Sequence, residues 1–243
     1  MDTESQPPGT LAEPQVRAMF DRIAGVYDAM NAVMTGGLHH RWRERAADLA
    51  GLRPGERGLD VATGTGDLAL ALARRVGARG EVVGCDFSER MLALARNKAA
   101  SAPAHAAIRF EVANALALPY PDGAFDAATV GFGARNFADL ERGVAEMARV
   151  VRRGGRVVVL EITAPQRPPL SWFFRLWFDR LVPLVGRLAG DADAYAYLPS
   201  SVRRFPDPRG LAAVLARAGV ADVRWIVTAG GAIALHAGTV TVR

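Results

Sequence analysis

Gly58-Leu59-Asp60-Val61-Ala62-Thr63-Gly64-Thr65-Gly66-Asp67, followed by the alanine/leucine run Leu68 to Leu72, decides the fold. Leu59 and Val61 flank Asp60 as the residues of a short buried strand do. Gly64 and Gly66 then remove the Cβ where the backbone must turn sharply into a helix beginning near Asp67. A strand, a glycine turn and a helix start make a ligand cradle. The first N–H groups of a helix lack partners within it, and a glycine loop lets a ligand approach them.

Downstream the same unit recurs. Leu68, Leu72 and Val76 form a helical stripe ended by Gly77 and Gly80, and the strand Glu81 to Asp86 follows. Then come a helix from Ser88, its N-cap, to Ala100, a strand Ile108 to Val112, a loop Asn114 to Gly123, a strand Phe125 to Val130 and a helix Ala138 to Val151. Arg152-Arg153-Gly154-Gly155 reads as a tight turn into the strand Arg156 to Glu161, apolar almost throughout as a strand buried on both faces should be. After an interruption at Ile162 to Pro208, the chain resumes with a helix Pro208 to Ala218, a strand Asp222 to Thr228, a Gly230-Gly231 turn and a last strand Ala232 to Val242. Alternating strands and helices call for a parallel sheet covered on both faces, and two strands joined by a short turn pair antiparallel. The expected fold is α/β: a seven-stranded, mostly parallel, doubly wound sheet ending in an antiparallel hairpin.

Upstream, Val16, Met19, Phe20, Ile23, Tyr27, Met30 and Met34 recur at helical spacing until Gly36-Gly37, and Arg41 to Ala50 reads as a second helix. Residues 13–55 are therefore expected to form an N-terminal helical cap, and 56–243 a ligand-binding domain with a helical lid insertion at about 163–207. The polar, proline-containing stretch 1–12 reads as a disordered tail.

The chain has 243 residues, half of them apolar, enough for a full core. Its net charge of +5 is spread over scattered arginines rather than gathered into a basic run, which argues against a nucleic-acid partner and leaves open an anionic membrane surface. The single cysteine, Cys85, excludes an intrachain disulfide, and one cysteine with four histidines gives no metal-ligand spacing. A reducing cytosol is the expected compartment. No apolar run reaches the roughly eighteen residues of a membrane span.

Gly64-Thr65-Gly66-Asp67-Leu68-Ala69 satisfies a loose dinucleotide pattern, and Asp86, at the end of the second strand, suits the ribose hydroxyls of any adenosine-bearing ligand. Charge separates the candidates. Asp60 and Asp67 bracket the loop where a dinucleotide would place its pyrophosphate, and each like-charge contact at about 4 Å costs roughly 4 kcal/mol at an effective dielectric near 20. S-adenosyl-L-methionine instead carries an ammonium and a sulfonium, which those carboxylates attract. Asn114-Ala115, after the third strand, offers an amide for an adenine edge, with a turn residue as the alternative reading of Asn114.

Several further motifs carry a resemblance. They are Tyr27-Asp28-Ala29-Met30-Asn31, Gly37-Leu38-His39-His40-Arg41-Trp42, Leu59 to Leu68, Phe132-Gly133-Ala134-Arg135-Asn136, Gly154-Gly155-Arg156 through Glu161, Asp191-Ala192-Asp193 with Tyr195-Ala196-Tyr197-Leu198, and Ala234-Leu235-His236. In these the chain resembles the ubiquinone/menaquinone biosynthesis C-methyltransferase family. The resemblance implies the seven-stranded methyltransferase fold, S-adenosyl-L-methionine as methyl donor and methyl transfer to a ring carbon of a polyprenylated quinol, chiefly demethylmenaquinol. It carries the cofactor-binding role to Thr65, Asp86, Asn114 and Ala115, with Gly64, Gly66, Asp60 and Gly131 beside them. Gly131 stands where the family often has serine, so only backbone contact remains there. A methyltransferase acting on another small hydrophobic acceptor would keep every cofactor residue.

Transfer to carbon needs an electron-rich ring and a group to polarise its hydroxyl. Candidates are His236, Tyr27, Tyr197, Asp193 and the pair Arg135-Asn136, all within the motifs above. His236 lies in an apolar strand and reads equally as a structural histidine; Arg135 and Asn136 follow the fourth strand at the carboxyl edge where ligands of such sheets lie, with a helix cap as their alternative reading. Between Leu170 and Leu188, Trp172, Phe173, Phe174, Trp177 and Phe178 alternate with Arg175, Arg180 and Arg187. Such a basic, aromatic helix suits a membrane surface and a polyprenyl tail, or packs as a lid on its own core or on the second subunit of a homodimer.

Overall fold

β1 (Arg57–Val61), β2 (Glu81–Asp86), β3 (Ala107–Val112), β4 (Phe125–Gly131), β5 (Val151–Ile162), β6 (Val220–Thr228) and β7 (Ile233–Val240) form one sheet in the order β3-β2-β1-β4-β5-β7-β6. The computed structural model describes residues 12–102, 107–166, 168–176 and 192–241. β1 to β5 run parallel, and β7 inserts antiparallel between β5 and β6. The expected α/β doubly wound sheet with its terminal hairpin is the observed one.

Alternation along the central strands feeds two cores. Leu59, Val61, Val157 and Val159 face one side, where α5 (Leu140–Val150) and a later helix, Pro208–Arg217, cover them with Val144, Met147, Leu211 and Leu215. Val82, Val158 and Leu160 face the other side, under α2 (Leu38–Ala50), α3 (Asp67–Val76) and α4 (Glu89–Ala100). Ser88 caps α4 by accepting the Met91 N–H at 3.0 Å, and Met91, Leu92 and Ala95 are its buried residues, as the sequence predicts.

α1 (Glu13–Thr35) ends at Gly36, whose left-handed φ of 56° a residue with a side chain rarely adopts. Its apolar face meets Tyr197 of α7 (Ala192–Arg204) in a third, smaller cluster through Val16 and Met19. The interrupted region contains α6 (Leu170–Leu176) and α7, and α8 is Pro208–Arg217. The rest of the aromatic segment, with Trp177, Phe178, Arg180 and Arg187, lies outside the described residues, as do the expected tail at 1–11 and the side chains of Arg175 and Asp193.

One strand differs from its expected form. Arg152 to Gly155 is not a turn ahead of β5 but a bulge inside it, because Phe125 pairs with Val151 and Ala127 already pairs with Arg156. Asp126, opposite the bulge, draws the Arg152 Nε–H to 2.6 Å, and Gly154 supplies the positive φ of 79°.

Gly84 of β2 sits opposite Asp60, and a Cβ there would meet the Phe110 ring at 2.8 Å and Thr63 Oγ1 at 3.0 Å. Gly84→Ala should therefore destabilise the fold by about 1–3 kcal/mol, read from urea denaturation.

Candidate active site

The strand order reverses between β1 and β4, so the loops leaving the carboxyl ends of β1 to β4 diverge around a crevice. An open cavity occupies it, about 900 Å³ when counted out into the solvent at its mouth, lined by Thr63, Gly64 and Thr65 after β1, Asp86 and Phe87 after β2, Ala113 to Leu116 after β3, and Gly131 to Gly133 after β4. Glu13, Phe20 and Tyr27 roof it, seven residues apart on one face of α1.

Gly64 and Gly66 hold φ values of 55° and 83°, and a Cβ on Gly64 would meet nothing within 4 Å, so the loop leaves open space in the cavity. On Gly66 it would press Ala95 at 3.0 Å and Phe110 at 3.1 Å, so the second glycine serves packing. Asp86 accepts the N–H groups of Gly64 and Ser88, each at 2.9 Å. Burial lifts its pKa to about 6 although these bonds oppose the rise.

The two carboxylates bracketing the glycine loop do not share one role, which corrects the charge argument made from sequence. Asp60 is 1% exposed, lines the cavity and accepts the hydroxyls of Thr63 at 2.6 Å and Thr129 at 2.7 Å. Its pKa too is lifted to about 6, chiefly by burial. Asp67 already meets Lys98 Nζ at 2.5 Å and Arg43 Nη1 at 3.5 Å; burial works to raise its pKa, but Arg43 and Lys98 together hold it below the ordinary value. Its charge is answered within the protein, and Asp60 is left to face a cationic ligand.

α1 is fastened over this cavity by its acids. Asp28 accepts the Thr65 hydroxyl at 2.7 Å, Asp21 the Ser88 hydroxyl at 2.5 Å, and Glu13 the Asn114 amide at 3.0 Å. The side-chain Oδ1 of Asn114 accepts the Leu116 N–H at 2.8 Å, a turn contact of the kind read as its alternative role. Ala115 lines the cavity without a polar contact, and at Gly131 a side chain would crowd Leu68 at 3.1 Å.

A second cavity, of about 820 Å³, adjoins the first and shares Phe20, Tyr27, Phe132 and Asn136 with it. Met19, Ile23, Met30 and Met34 of α1, Ile162, Ile233 and Leu198 make it largely apolar. The dividing residue Phe132 holds a φ of 61°, rare for a residue with a side chain, and packs edge-on to Trp42 with the Arg43 guanidinium 5.4 Å from its ring centre. Arg135 lies at this cavity in a buried ion pair with Glu161 at 2.7 Å. Among the described residues five buried side-chain polar atoms lack a hydrogen-bond partner, and three of them, His39 Nε2, Arg135 Nε and Asn136 Oδ1, belong to residues lining this one cavity. An unmet buried polar group costs about 1–3 kcal/mol, so ordered water or a polar ligand group is needed there.

The structure thus brings Tyr27, Arg135 and Asn136 together and leaves His236 apart. His236 is fully buried in β7, lines neither cavity, stacks on Trp225 and meets the Pro208 carbonyl through Nε2 at 2.8 Å, the structural alternative read for it. Tyr197 lines the second cavity. Sequence reasoning passed over His39, Arg43 and Lys98; the only signal was that the first lies inside one of the resemblance motifs. His39, His40 and Asp67 lie close enough to hold a cation, but Arg43 and Lys98 already occupy the Asp67 carboxylate.

The ubiE/COQ5 methyltransferase family matches residues 9–240. The chain belongs to that family. It is 48% identical over 221 residues to the demethylmenaquinone methyltransferase of Thermus thermophilus, covering 90% of this chain and 99% of that protein. It is 41% identical over 226 residues to the ubiquinone/menaquinone biosynthesis C-methyltransferase UbiE of Teredinibacter turnerae, covering 93% and 91%. Among solved structures, the [4+2]-cyclase SpnF superposes with a TM-score of 0.68 at 20% identity, over 99% of this chain and all of that one. A SAM-dependent methyltransferase from Aquifex aeolicus superposes with 0.60 at 18% identity, over 82% and 89%. A cyclase and a methyltransferase share this architecture, so the fold alone does not fix the reaction.

A ligand that brings a cation to Asp60 and hydroxyl donors to Asp86 stabilises both carboxylates and so displaces protons held at a pKa of about 6. S-adenosylmethionine should therefore bind more tightly as pH rises from about 5 to about 7.5, with net proton release in between. Titration calorimetry in buffers of different ionisation enthalpy measures both.

Proposed function

We propose that this chain transfers a methyl group from S-adenosyl-L-methionine to a ring carbon of a polyprenylated quinol in respiratory quinone biosynthesis. Demethylmenaquinol is the leading acceptor, and the 2-polyprenyl-methoxy-benzoquinol precursor of ubiquinone is a second. The relatives' names and the family support the reaction class. The observation that carries the reading is the pair of adjoining cavities divided by Phe132, one built around the glycine loop and Asp86, the other apolar with unmet polar atoms at its edge.

In the first cavity Asp86 would take the ribose hydroxyls, Asp60 the cationic end, and Ala115 with the Asn114 backbone the base. The cofactor supplies a methyl group already activated on a positive sulfur. In the second, the methionine and isoleucine side chains would hold the ring, so the protein's main contribution is alignment. Arg135, its charge met by Glu161, would offer its unpartnered Nε–H at the ring's polar edge; an arginine does not give up its proton and cannot be the base. Only the reduced quinol is electron-rich enough at carbon to react; as the new C–C bond forms the S–CH3 bond breaks, and the proton on that ring carbon is then lost to solvent. Deleting the gene should leave membrane quinones one methyl lighter, seen by mass spectrometry; an unchanged pool would remove the reading.

A long prenyl tail has to reach the site from a bilayer. No helix among the described residues is long and apolar enough to cross a membrane. Trp172 and Phe173 of α6 are 62% and 68% exposed, and we assign them to contact with the membrane surface on the cytoplasmic side. Trp172→Ser combined with Phe173→Ser should weaken flotation with anionic vesicles severalfold, and unchanged flotation excludes the contact.

A further inference from the structure

His39 lies on α2 at the second cavity and is 2% exposed. Its Nδ1 is hydrogen-bonded to Nη1 of Arg43, one helical turn on, while its Nε2 has no partner among the described residues. A guanidinium only donates, so Nδ1 must present its lone pair. The ring is also uncharged near neutral pH. Burial, then Arg43 and His40 on its own helix, bring its pKa down to about 4 against the opposing pull of Asp67 on α3 and Asp28 on α1. A neutral imidazole with Nδ1 accepting carries its proton on Nε2. The free edge of His39 is therefore an N–H donor and not a base.

Two more unmet atoms belong to residues at this cavity, the Arg135 Nε–H, also a donor, and Asn136 Oδ1, an acceptor. A ligand suited to all three offers one oxygen that accepts and one hydroxyl that donates. A singly ionised quinol has both. The oxidised quinone has two acceptors and no donor, and would leave Asn136 unmet.

We propose that His39, held in its Nε2–H tautomer by Arg43, donates a hydrogen bond to a ring oxygen of the quinol and favours the ionised form of that oxygen. His39 touches the substrate and Arg43 is its positioning residue. Charge left on the oxygen raises electron density at the ring carbons. The Nε2–H bond is not broken, and the oxygen's proton equilibrates with solvent. The inference rests on the quinol-methylation reading and adds how the acceptor is recognised and activated.

The probe is 4-nitro-1-naphthol, whose ionised form absorbs visibly, bound to the full-length protein with S-adenosylhomocysteine present. In the wild type the bound probe should ionise at lower pH than the free probe. His39→Phe should reduce its ionisation constant about tenfold relative to wild type, and His39→Gln, which keeps a donor, should recover part of that loss. Equal S-adenosylhomocysteine affinity in all three reports an intact fold. Turnover of a one-isoprene demethylnaphthoquinol should fall about 10²-fold in kcat for His39→Phe.

Equal ionisation of the bound probe in wild type and His39→Phe overturns the proposal. Should that variant fail to bind S-adenosylhomocysteine, nitrogen-15 NMR of histidine-labelled wild type decides. A protonated Nε2 on His39 that shifts when the probe is added supports the donor, and an unprotonated Nε2 overturns it. A wild type that ionises the probe but methylates neither naphthoquinol nor benzoquinol removes the quinol reading and leaves the donor standing.

Discussion

Lys98 is the chain's only lysine, and the cap, the glycine loop and the sheet-covering helices meet at its ammonium. Its Nζ lies 2.8 Å from Asp28 of α1, 3.0 Å from the Thr65 hydroxyl and 2.5 Å from Asp67 at the start of α3. Three oxygens around a compact ammonium use its three donors, a geometry the planar fork of arginine does not reproduce. Arg43 adds α2 to the same carboxylate. The N-terminal helices α1 and α2 are thus joined to the glycine loop by charge as well as by apolar contact. The join is partly buried, with the Lys98 and Asp67 side chains 30% and 14% exposed, so salt screens it less than it would a surface pair.

That junction decides how the acids around the loop divide their work. A carboxylate beside two protein cations stays ionised but has little field left for a ligand, whereas Asp60, buried between two hydroxyls, retains its electrostatic demand. The Arg43 that neutralises Asp67 also packs on Phe132 and fixes the His39 ring. One guanidinium therefore touches the carboxylate after the glycine loop, the ring dividing the two cavities and a histidine at the second cavity.

The fold was legible because its signals are local. Strand alternation, helical stripes at three and four, Ser88 as a cap, Gly36 after α1 and the Gly230-Gly231 turn each act over a few residues. The bulge in β5 was hidden because the residue that meets it, Asp126, lies 26 residues from Arg152. The site was legible where a motif fixes backbone geometry, as at Gly64 and Asp86, and opaque where a role depends on distant partners. Thr65 meets Asp28 from 37 residues away, and Asn114 meets Glu13 from 101. His236 and His39 illustrate the same limit: both stand in resemblance motifs, and only the fold places one against a carbonyl and the other at a cavity.

Phe132 has a consequence for how the two chambers communicate. Its ring is a face of both, and its backbone is held in a conformation that costs on the order of 1 kcal/mol or more, so neighbouring contacts set its position. A ligand that shifts the ring in one chamber changes the shape of the other. Linkage then makes the effect mutual: the factor by which occupancy of one chamber alters affinity in the other is the same in both directions.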